Sequence, residues 1–165
     1  MTHRTMNLIT SSLVLVCCGD RPQIERLQAS AAAPLAAALG LRPAPALGDD
    51  PRDLDGVHHG LAPLPVDPGQ ILAAGDHWAQ ALGSWRQSCL LLLTAEQTGG
   101  GLPAAATALL LQWQVPLVGL VQWGAPWQTE LRRRDGLPWL GWLDAADSDA
   151  GLAAAAALRW RQLQG

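Results

Sequence analysis

The chain has no lysine, tyrosine or phenylalanine: its eleven cations are all Arg and its eight aromatic residues are all Trp. Without lysine it cannot form a Schiff base, use an amine as general base, or clamp a nucleotide phosphate with an ammonium group. Charge is sparse, at 15% of residues, and the formal net charge of −3 argues against a nucleic-acid binder or a membrane-surface protein. Cysteine is scarce as well. Cys17, Cys18 and Cys89 include no C-x-x-C pair, so no zinc or disulfide framework is present. Adjacent Cys17 and Cys18 should point to opposite faces of a strand, as buried, reduced thiols of a cytosolic interior. No apolar run approaches the ~20 residues of a membrane span. The opening Met1–Cys18 has a basic start and the apolar stretch LITSSLVLVCC, which raises export as a rival reading. Thr10-Ser11-Ser12 breaks that stretch, the bulky Val16 precedes Cys17 and no A-x-A site follows, so a cytoplasmic chain is expected.

What is abundant is apolar. Such residues make up 49% of 165 positions, a composition and length suited to one globular domain over residues 1–165 with a sizeable core. Residues 1–11 read as a frayed start. Ser12 to Cys18 reads as a short apolar strand stopped by Gly19. A helix follows, from Pro22 through Ile24, Leu27, Ala31, Leu35, Ala38 and Leu39 to Gly40, with Pro34 as a kink or restart. Residues 41–69 are rich in Pro, Gly and Asp and have no sustained period. They read as a long irregular loop with room for one extended piece. Gln70 to Trp85 returns to helical spacing.

Residues 88–164 are more regular. Strands are expected over 88–95 (SCLLLLTA), 115–123 and 137–143. Helices are expected from Pro103, over 126–134, and over 148–164 with Ser148 as cap. Continuous apolar strands alternating with helices predict an α/β fold, a three-layer sandwich around a mostly parallel sheet of four or five strands. The segments VPLVGLV and LPWLGWL share the pattern h-P-x-h-G-x-h, in which the mid-strand Gly is expected to let a covering helix come close.

In such sheets ligands gather at the carboxyl ends of the strands. Two loops there are the candidate ligand-binding positions: Gly19-Asp20-Arg21, and Thr98-Gly99-Gly100-Gly101, whose amides could surround an anion. Glu96 beside the second loop, with no cation near it in sequence, favours a plain turn. Arg132-Arg133-Arg134 reads as a solvated helix end, with contact to a phosphate as the other reading. His58, His59, Asp53, Asp55, Asp76 and His77 could be read as metal ligands, but nothing in their spacing fixes a geometry, and no metal is expected.

The stretch VLVCCGDRPQIERLQASAAA resembles the opening of dethiobiotin synthetases and related ParA/MinD-type P-loop proteins. There a strand enters a GxxxxxGKT loop and then a helix. Gly19 falls at the first loop glycine and Ser30-Ala31-Ala32 in the early helix. LLLLTA, the glycine loop, VPLVGLVQWG and LPWLGWL resemble the later layout of that family. On this alignment Glu25 stands at the second glycine, Arg26 at the lysine and Leu27 at the Ser/Thr, so the phosphate chemistry of the loop is absent. The resemblance implies a degenerate P-loop domain without ATPase activity or cofactor, acting as a binding or assembly module. A protein partner or a second copy would meet it through a Trp-rich surface including Trp123, Trp127, Trp139 and Trp142. The alternatives are a Rossmann-like small-ligand binder or enzyme using the 19–21 and 98–101 loops, and an active ATP-dependent ligase with Arg26 in place of the lysine.

Overall fold

A computed structural model of the protein describes residues 12–165; the expected frayed start at 1–11 lies outside the described residues. Five strands form one all-parallel sheet: β1 (Ser12–Cys17), β2 (Gly60–Pro63), β3 (Cys89–Thr94), β4 (Leu117–Trp123) and β5 (Trp139–Leu143). Their spatial order is β2-β1-β3-β4-β5. The helices are α1 (Arg21–Leu39), α2 (Trp78–Ser84), α3 (Leu102–Gln112), α4 (Thr129–Arg134) and α5 (Leu152–Gln164).

The strands are apolar throughout because both sheet faces are covered, and the two-residue period divides the side chains between two cores. Leu13, Leu15 and Cys17 face α1 and α5, meeting Ile24, Leu35, Leu152 and Ala156. Val14, Val16 and Cys18 face α2 and α3, meeting Trp78, Leu82, Ala106 and Leu110. Each fully buried Leu of this kind contributes about 1.5–3 kcal/mol relative to exposure. The vicinal cysteines thus point to opposite faces, and all three cysteines are free and buried. Among the described residues no helix is long and apolar enough to cross a membrane.

Local structure departs from the sequence expectation at several places. α1 runs through Pro34 without restarting, held between an Asp20–Gln23 capping box and a left-handed Gly40. The 41–69 segment is more ordered than a loop. Residues 42–47 pair along β2 through Ala44 N–H to Leu61 O (3.0 Å) and Leu47 N–H to Pro63 O (2.9 Å), and Pro51–Gly56 form a 3-10 turn. The helix expected from Gln70 starts only at Trp78, because Gly75 turns the chain at positive φ and His77 caps the helix, its Nδ1 accepting from Gln80 N–H. Ser148 is not a cap: it bridges to Leu143, and α5 begins at Leu152. The mid-strand glycines make room for something other than a helix. A Cβ on Gly119 would lie 2.5 Å from Pro138 O and 2.6 Å from Leu140 Cγ of the neighbouring strand, and one on Gly141 would meet Asp149. Beside Gly119, β4 carries an extra residue opposite Cys89 and Leu90, a bulge that switches the facing of its side chains.

Candidate functional site

The sheet order reverses at β1, whose neighbours are β2 on one side and β3 on the other. In doubly wound sheets the crevice beyond the strand ends at this point is where ligands bind. The fold brings both candidate loops to this edge. Gln97, between β3 and α3, joins them: its Nε2 donates to Cys18 O at 3.0 Å while its Oε1 accepts from Thr94 N–H at 3.0 Å.

The first loop is short, and its Gly19 and Asp20 amides are already taken. Gly19 N–H donates to Asp67 Oδ2 at 2.9 Å, and the other Asp67 oxygen accepts from Gly69 N–H at 2.9 Å. Asp20 N–H donates to Gln23 Oε1 at 3.0 Å and Gln23 N–H returns to Asp20 Oδ1 at 2.8 Å. Gly19 has φ of 122°, and a Cβ there would meet Gln23 Oε1 at 2.7 Å, so only glycine lets the cap close this tightly. Arg21 is turned outward, Nε on Glu25 at 2.9 Å and Nη1 on Asp49 at 3.3 Å. The helix begins at Arg21, so residues that the resemblance assigns to a phosphate-wrapping loop are helical, and Arg26 is exposed on the second turn. Burial, with Asp67 nearby, pushes the Cys18 thiol up to about 12, so it is a neutral thiol and no nucleophile at this edge.

The second loop is open. Gln97–Gly99 form a 3-10 turn and Gly101 precedes α3. None of Gly99, Gly100 and Gly101 adopts positive φ, and a Cβ on any of them would meet nothing within 4 Å. Thr98 and Gly99 border a cavity of about 360 Å³ whose other walls include Gln122, Pro126, Gln128 and Arg132. Gly100 and Gly101 are not among its lining residues. The expectation that no cation supports this loop is therefore corrected. Arg132 arrives from α4, distant in sequence, because adjacent parallel strands present their following loops side by side.

Among the described residues no group of three His, Cys, Asp or Glu is placed to hold a metal ion. His77 is occupied as the α2 cap and packs edge-on against Trp113, while His58 and His59 line a separate cavity with Asp53.

The tryptophans form no single exposed face. Trp123, Trp127, Trp139 and Trp142 are half-buried; Trp127 packs edge-on against Trp139, which also holds Arg132 over its ring. Trp78 is core, and Trp85 is the one exposed tryptophan among the described residues. Sequence reasoning missed Asp67, Gln122 and Gln128, and gave Gln97 no role beyond its place in the second loop. The D-P-G turn after β2 was the only local signal for the first, and the others depend on strand order.

Comparison with protein-family models, with curated proteins and with solved structures finds no match to the chain.

Proposed function

We propose that the chain is a degenerate P-loop domain of dethiobiotin-synthetase-like type that does not hydrolyse ATP and works as a binding or assembly module. The observation that carries this reading is the occupation of the α1 entrance: Asp67, Asp20 and Gln23 of the chain itself accept from or fill the amides that a phosphate would use. A phosphate there would have to displace a fixed carboxylate, with no lysine to offset the charge. Leu27, half-buried on α1, offers no hydroxyl for Mg²⁺.

Such a module acts through a protein partner or a second copy of the chain, with exposed Trp85 as the aromatic residue available for an interface. A second reading, a Rossmann-like small-ligand binder, is favoured by the open cavity beside Thr98 and Gly99. Release of inorganic phosphate from ATP and Mg²⁺ tests the main reading. The expected rate is that of buffer alone, and turnover abolished by Arg26→Ala would replace this reading with an active ligase.

A further inference from the structure

Of the three arginines in succession on α4, one is drawn inward. Arg133 and Arg134 are exposed, whereas the Arg132 side chain is only 12% exposed and sits over the Trp139 ring at 5.1 Å. Its nearest carboxylate compensates it poorly. Asp135 Oδ2 accepts from Trp139 Nε1 at 2.7 Å and Asp135 Oδ1 from Leu137 N–H at 2.9 Å, while Arg132 Nη1 reaches Asp135 Oδ2 only at 3.5 Å. Arg132 Nε is buried and has no hydrogen-bond partner among the described residues. A guanidinium so placed has its charge met only by the long contact to Asp135 and the Trp139 ring, and a donor left buried and unbonded is unfavourable.

This same arginine walls the cavity of about 360 Å³ at the carboxyl ends of β3 and β4. Among the described residues that line the cavity it is the one charged side chain, with no Asp or Glu beside it in that lining. The remaining walls are neutral: Thr98, Gln122 and Gln128 are polar, and Ala95, Pro126 and Leu131 are apolar. Gln122 Nε2 is fixed by Gly124 O and Pro126 O, both at 2.9 Å, which makes that wall rigid. Gly99 adds no side chain to the cavity wall, and a Cβ there would meet nothing within 4 Å. The size is at the lower end for small-molecule sites, and the ring beneath Arg132 holds its planar fork in one orientation.

We propose that this cavity binds the oxyanion of a small molecule, a carboxylate or a phosphate, on the Arg132 guanidinium. The ligand enters past Thr98 and Gly99, replaces the long contact to Asp135 as the main counter-charge, and uses the fork geometry that suits both anions. This inference extends the reading of the chain as a binding module but does not depend on the closed α1 entrance.

Sodium phosphate and sodium propionate, each titrated at constant ionic strength and followed by calorimetry and thermal shift, test it. Saturable binding of at least one probe in the millimolar range is expected. Thr98→Glu puts a competing carboxylate on the cavity wall and leaves the Arg132–Trp139 stack in place, and it should weaken binding by about tenfold or more. Arg132→Leu should abolish binding; if that variant fails to fold, Thr98→Glu carries the test alone. Preference for phosphate identifies a phosphorylated ligand, preference for propionate a carboxylic acid, and equal binding supports the shared chemistry. Absence of saturation by either probe, or undiminished binding to folded Thr98→Glu, overturns the proposal. Neither result bears on ATP hydrolysis, so failure here is distinct from failure of the P-loop reading.

Discussion

The backbone N–H of Gly19 donates to the carboxylate of Asp67 at 2.9 Å, so the loop after β1 meets an anion that belongs to the chain. The same carboxylate also turns the chain after β2 by accepting from Gly69 N–H. Asp67 thus ties the ends of two adjacent strands together. Asp67→Ala removes both acceptors and is expected to destabilise the fold by about 1–3 kcal/mol, measured by urea denaturation. An unchanged midpoint would mean that both amides are equally well solvated without it, and that Asp67 does not organise this edge.

The glycines of the second loop should tolerate side chains. Gly99→Ala, Gly100→Ala and Gly101→Ala each place a methyl group in open space at a backbone conformation any residue adopts. Each variant is expected to stay within about 1 kcal/mol of the parent. Gly119→Ala is the contrasting case. Its methyl group would press on Pro138 O and Leu140 of the next strand, and a loss of about 1–3 kcal/mol is expected. Equal stability of all four variants in thermal denaturation would contradict the packing described for β4 and β5.

Most of the sheet was legible in the sequence, and the reasons for the misses are local. SCLLLLTA and the other apolar runs are short, unbroken and followed by Gly- or Pro-containing loops, which favours strands buried on both faces. β2 is four residues long and ends at Pro63, with Pro65 just beyond, too short for any period to emerge. Ile71 and Leu72 imitate helical spacing, yet Gly75 and His77 delay the helix to Trp78. The Thr98 loop looked devoid of cations because Arg132 reaches it only through strand adjacency, which no linear spacing records. Gln97 was in plain view, but its bond to Cys18 O depends on β1 and β3 being neighbours.

The cysteines make the fold sensitive to alkaline pH. Burial pushes the Cys17 and Cys18 thiols from 9.0 up to about 12, and burial likewise raises Cys89. The folded state therefore holds protons that the unfolded state releases. The associated stability is fully present below about pH 9 and is lost as pH rises toward about 12. The slope in that window is at most about 1.36 kcal/mol per pH unit for each thiol. Urea midpoints measured from neutral to alkaline pH should fall, and Cys17→Ala should flatten the fall. Rapid labelling of native protein by a thiol reagent at neutral pH would show that these thiols are not buried as described.

Nucleotide binding tests the central proposal most directly, namely that the α1 entrance, with its Gly19, Asp20 and Gln23 amides bonded to Asp67, Gln23 and Asp20, takes no phosphate. Any change in thermal midpoint with millimolar ATP and Mg²⁺ should be the same in the parent and in Arg26→Ala, because none of it arises at the α1 entrance. A saturable rise in midpoint with ATP in the parent, lost in Arg26→Ala, would contradict the account.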